Sequence, residues 1–69
     1  MLGEEEAVVL RASSFDLHGV TYHDVAIGLR DRSVHEARLG PESVPEELRE
    51  GDQVLVTRVA NIVVSIRRP

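Results

Sequence analysis

A chain of 69 residues with no cysteine has room for one domain and no disulfide to brace it. A domain this small buries about 60% of the surface its unfolded chain exposes, so a well-formed core or a partner must supply its stability. Twelve acids against eight arginines, with no lysine, give a net charge of -4, which disfavours non-specific nucleic-acid binding because phosphates need a basic surface.

The start, MLGEEEAVVLRA, is acidic where a secretory signal is basic. No stretch approaches the roughly 20 apolar residues of a membrane span. These features predict a cytoplasmic protein, either whole or one domain of a larger chain. Charge is uneven along the sequence. Residues 41–52 carry Glu42, Glu46, Glu47, Glu50 and Asp52 against Arg49 alone, whereas residues 53–69 carry Arg58, Arg67 and Arg68 and no acid.

Residues 1–5 read as a disordered acidic N-terminus to a single domain spanning 1–69. EAVVLRA, residues 6–12, is the first strand, with Val8 and Leu10 on the predicted core face and Val9 and Arg11 on the other. SSFDLHG, residues 13–19, has no clear period and reads as a loop or an irregular strand continuation. VTYHDVAIGLR, residues 20–30, places Val25, Ile27 and Leu29 on one face, predicted with Leu39 to line the core. VHEARL, residues 34–39, returns antiparallel after a loop at 31–33. That loop sets Leu29 opposite His35, Ile27 opposite Ala37 and Val25 opposite Leu39, matching apolar residues across the pair.

GPESVPEELREGD then breaks the strand pattern. Ser43 and Glu46 have the spacing of a capping box, Pro45 suits a first helical turn, and Gly51 is a stop. The reading is one or two helical turns anchored by Leu48. The chain closes on a hairpin, QVLVTRV (53–59) and IVVSIR (62–67), around Ala60-Asn61. Asn61 suits the left-handed conformation of a tight turn. Leu55, Thr57, Val59, Ile62, Val64 and Ile66 form the predicted core face. Val54, Val56, Arg58, Val63, Ser65 and Arg67 form the other, which is still half apolar.

Strands and turn follow the order of the OB-fold, a five-stranded partly open barrel. The phrase Leu48, Gly51, Asp52, Val54, Val56, followed by IVVSIRR, resembles small barrels of the translation initiation factor 1 type. The closing hairpin is similar to that of NfeD-type soluble domains. AbrB-type swapped-hairpin regulators also carry a "VP…GD.V" phrase, but VPEELREGD is short for their helix. The resemblance implies an all-β, OB-like barrel and, through its relatives, an RNA-binding face that includes the second strand.

Three classes of site follow. Val54, Val56 and Val63, rimmed by Arg58 and Arg67, read as an apolar protein interface on the outer face of the closing hairpin. Tyr22, Arg30 and Arg38 are the residues that would touch single-stranded nucleic acid, which needs aromatic platforms and cations. His23 and His35 share a facing, yet with no cysteine or suitably placed acid beside them no metal site and no cofactor are predicted. No nucleophile elbow, phosphate-cradling glycine loop or cysteine nucleophile is present, so no enzyme is predicted. The expected function is a non-enzymatic interaction module that forms a homodimer or docks on a larger protein assembly. The alternative is a single-strand RNA-binding or ribosome-associated factor.

Overall fold

The structure, a computed structural model, describes residues 3–69. Five antiparallel strands form one sheet: β1 (Glu4–Leu17), β2 (Val20–Leu29), β3 (Val34–Leu39), β4 (Gln53–Val59) and β5 (Ile62–Arg67). Their order across the sheet is β3-β2-β1-β4-β5. The sheet curls until its edges, β3 and β5, come within 8 Å at some Cα pairs, but no ladder joins them. The fold is all-β with one short 3₁₀ turn, Pro41–Ser43, between the third and fourth strands.

β1 is longer than the sequence pattern suggests. Glu4 and Glu5, expected in a disordered N-terminus, are paired with Thr57 and Val56 of β4; Met1 and Leu2 lie outside the described residues. SSFDL is its far end, paired with β2 up to Leu17 opposite Val20. The hairpin turns on His18 and Gly19, at φ +52° and +81°. Two consecutive positive φ values match the twist of a two-residue hairpin, and glycine adopts one without strain.

At about 3.3 Å per residue a straight β1 would be roughly 46 Å long, yet the longest dimension of the molecule is 35 Å. The strand bends at a bulge. Val9 opposes Ile27 and Arg11 opposes Ala26, which leaves Leu10 between them without a partner. A bulge reverses the in-out alternation beyond it. Ala7 and Val9 point inward before it, Ala12 after it. Val8 and Leu10, predicted for the core, lie outside the buried cluster, with Leu10 41% exposed over Gly28.

A second bulge reshapes the closing hairpin. Arg58 opposes Val63 and Thr57 opposes Ser65, so Val64 is the extra residue. Val63 and Ile66 therefore both face inward. β4 takes its inner face from β1, since Val54 opposes Ala7 and Val56 opposes Glu5. Val54, Val56 and Val63 are buried in the core and not on an outer patch, which corrects the predicted interface. Leu55, Val59, Ile62 and Val64 lie outside it. Val25, Ile27, Leu29, Leu39 and Ile66 are core as predicted, with Leu48 packed against them.

Between β2 and β3 the loop is one residue earlier than predicted. Leu29 N donates to Ser33 O, so the loop is residues 30–32, with Arg32 at φ +70°. Ile27 pairs with His35 and Val25 with Ala37. The slip moves each pairing by an even number of residues, so every side chain keeps its predicted face. The 3₁₀ turn also precedes the predicted helix. Pro45 forces Val44 into an extended conformation, φ −135° and ψ 151°, and so a helix cannot start at Ser43.

Two outcomes follow for stability. Ile27→Ala should cost about 2–5 kcal/mol and Val56→Lys should unfold the domain, whereas Leu55→Ala should cost about 1 kcal/mol or less; denaturant melts of the three variants check the register. Ala60, not Asn61, has the positive φ of the closing turn, +56°. Ala60→Gly should therefore raise stability by about 0.5–1 kcal/mol, read as a higher denaturation midpoint.

Candidate functional site

The closing hairpin presents its apolar residues outward at its tip. Val59 pairs with Ile62, and bulged Val64 follows. Their exposures are 47%, 67% and 38%. Residues 59–66, VANIVVSI, carry no ionisable side chain. The predicted rim arginines are engaged elsewhere. Arg58 is on the inner face of β4 and holds Glu5 through two bonds, Nε to Oε2 at 2.6 Å and Nη2 to Oε1 at 2.9 Å. Arg67, on the outer face of β5, reaches across β4 to Glu4 of β1 with the same fork geometry. Both pairs tie β1 to the closing hairpin.

The far half of the β1–β2 hairpin is inverted. Asp16 pairs with Thr21 and Ser14 with His23, on the side that continues the inner face. The Thr21 hydroxyl donates to Asp16 at 2.6 Å. The opposite side carries Phe15, Leu17, Val20 and Tyr22. Phe15 and Tyr22 stack with ring centroids 5.9 Å apart and planes at 25°. The Arg38 guanidinium lies 4.8 Å from the centre of the Phe15 ring. Arg38 also forks onto Asp24 at 2.8 and 3.2 Å. Of the predicted nucleic-acid residues, Tyr22 and Arg38 are thus brought together. Arg30 is at the other end of β2, beyond the strand, where it pairs with Glu6. Phe15, the centre of the stack, is missing from the predicted set. Its signal was that the chain has only two aromatics, but the face it takes depends on the bulge at Leu10.

His23 and His35 lie on the inner side of β2 and β3 but four ladder positions apart, since His23 opposes Leu39 and His35 opposes Ile27. His35 Nε2 is 3.1 Å from the Ser33 hydroxyl. Among the described residues no group of three His, Cys, Asp or Glu side chains is placed to hold a metal ion. A cleft of about 580 Å³ runs between Val44–Glu46 and Ser65–Arg68. Its main donor, Arg68, is occupied in holding the β3–β4 connection: Nη2 donates to the carbonyls of Glu46 and Glu47 at 2.8 and 3.1 Å, and the guanidinium pairs with Asp52. No helix among the described residues is long and apolar enough to cross a membrane.

Four carboxyls are held below their ordinary range. Arg67 does this to Glu4, Arg58 to Glu5 and Arg38 to Asp24, each chiefly through the guanidinium hydrogen bond. For Asp31 the cause is the Ser33 hydroxyl and amide, which both donate to one carboxylate oxygen. A depressed folded-state value stabilises the fold above the ordinary value, 4.5 for Glu and 3.8 for Asp, and that contribution fades as pH falls further. The melting temperature should therefore drop from neutral pH to about pH 3. Glu5→Gln should lower it at neutral pH and flatten that drop.

The chain matches no protein-family model, no curated protein and no solved structure.

Proposed function

We propose that this chain is a non-enzymatic protein-interaction module that works through the outer face of its closing hairpin. One observation carries the reading: Val59, Ile62 and Val64 stand together on one face, with Ile62 67% exposed. Burying each such side chain against a partner would contribute about 1.5–3 kcal/mol when complete. An apolar cluster of this kind within a polar surface marks a contact site. The predicted interface thus keeps its hairpin and changes its face. The barrel class that suits this role is OB-like: a long first strand shared between β2 and β4, and β3 curled towards β5.

The test is a hydrophobic dye at about 1 µM protein. Wild type should bind it. A Val59→Glu/Ile62→Glu variant should bind much less and keep a melting temperature within a few degrees of wild type. A variant that unfolds would place these residues in the core and end the reading, as would dye binding that does not change.

A second reading rests on the Phe15–Tyr22–Arg38 stack, since aromatic faces and arginine are what single-stranded nucleic acid stacks on. It ranks lower because Asp24 neutralises Arg38 and the net charge is -4. Binding to mixed RNA oligonucleotides at about 150 mM salt should be weaker than micromolar. Tighter binding that Tyr22→Ala abolishes would reverse the order of the two readings.

A further inference from the structure

We propose that the cleft between the β3–β4 connection and β5 takes a short extended peptide with basic side chains, added as a strand along the free edge of β5. The site uses other residues than the apolar tip and does not depend on it. β5 is an edge strand, paired with β4 alone. In an antiparallel ladder alternate residues direct their N–H and C=O away from the partner strand. Among the described residues no turn or loop backbone takes up those groups of β5. A row of such groups is a template for a further strand. The bulge at Val64 blunts the edge near the turn. Beyond it, Ser65, Ile66 and Arg67 pair regularly with β4 and line the cleft of about 580 Å³. Val44 and Pro45 line its other side.

β3 limits the length of the guest. An inserted strand needs about 9.5 Å between its two neighbours, and β3 comes within 8 Å of β5 at some Cα pairs. The guest is therefore confined to the cleft, where Ser65–Arg68 offer it about 13 Å, or about four residues. Charge selects its chemistry. The ionisable side chains lining the cleft are Glu42, Glu46, Arg67 and Arg68. Both arginines are already met, Arg67 by Glu4 and Arg68 by Asp52. Glu42 and Glu46 take no ion pair among the described residues. A strand with cations at alternate positions supplies those partners on one face and sets apolar side chains against Val44, Pro45 and Ile66 with the other. A second copy is a poor guest, since pairing two β5 edges would bring both sets of unpaired acids together. Nucleic acid is repelled by the same acids.

The probe is a capped hexapeptide of alternating arginine and valine, titrated into the isotope-labelled full chain and followed by amide NMR. So few contacts imply a Kd of about 100 µM at about 50 mM salt. Binding should weaken at least ~5-fold at about 500 mM salt. The shifted amides should centre on Ser65–Arg68. Glu42→Gln/Glu46→Gln should weaken binding ~10-fold with an unchanged circular dichroism spectrum. If that variant does not fold, Glu46→Gln is judged by the same criterion. Two further peptides are N-methylated at every arginine or at every valine. One of them should bind ~10-fold more weakly, because only one set of N–H groups faces β5. A Kd above about 5 mM overturns the proposal. So does equal binding by a glutamate–valine peptide, or by both N-methylated peptides, since charge would then act without strand addition. Shifts centred on Val59 and Ile62 overturn it too. Val59→Ser/Ile62→Ser should bind the peptide within ~2-fold of wild type while losing the dye signal, so this site and the apolar tip fail separately; a larger loss of peptide binding would move the site to the tip.

Discussion

The bulge at Leu10 is the constraint on which the rest of this fold depends. β1 has two partners, and each needs a set of inward residues from it. With unbroken alternation from Ala7 and Val9, the inward positions beyond Leu10 would be Arg11, Ser13, Phe15 and Leu17. Arg11 would then point into the barrel beside Val25 and Ile27. An unpaired guanidinium there costs several kcal/mol, against about 1.5–3 kcal/mol for each apolar side chain left outside. The extra residue turns Arg11 outward to Glu36, 3.4 Å away, and brings Ala12 inward. Its consequence is that Phe15 and Leu17 come to lie on the convex side.

The bulge at Val64 makes the same choice at the other end of the sheet. Without it, Val63 facing inward would bring Ser65 and Arg67 inward too. With it, Ile66 enters the core, and Arg67 stays outside where Glu4 can reach it. Val64 is the residue left outside. Leu10 and Val64 are thus left outside as by-products of keeping an arginine out of the core. The two outward apolar surfaces differ in character. The stack on the β1–β2 hairpin already has Arg38, paired with Asp24, laid on it, while Val59 and Ile62 at the tip of the closing hairpin are exposed.

Charge is organised around these surfaces. The forked pairs Glu4–Arg67 and Glu5–Arg58 grip β4 from its two faces and bind the start of β1 to the closing hairpin. The excess acid collects on the β3–β4 connection, itself held by Arg68 through backbone carbonyls.

Much of the architecture is legible from residue order alone. The positions of β2 to β5, the two-residue closing turn, and the facing of Val25, Ile27, Leu29 and Leu39 all follow from period-2 patterning and turn chemistry, which are local properties. The break at GPES is legible too, as is the extended conformation that Pro45 imposes on Val44 against a helix starting at Ser43. What the sequence could not decide is which face of the closing hairpin is inside. Leu55, Val59, Ile62 and Val64 are at least as apolar as Val54, Val56 and Val63, so local hydropathy cannot choose between them. The choice is made by β1, whose Ala7 fixes the phase of Val54 across the ladder, and by two bulges that shift alternation by one residue. A bulge leaves little trace in hydropathy, because it is a compromise between strands that are far apart in the chain. The tertiary structure alone decided it, since only there do the desolvation of Arg11 and the burial of Ile66 compete directly with the exposure of Leu10 and Val64.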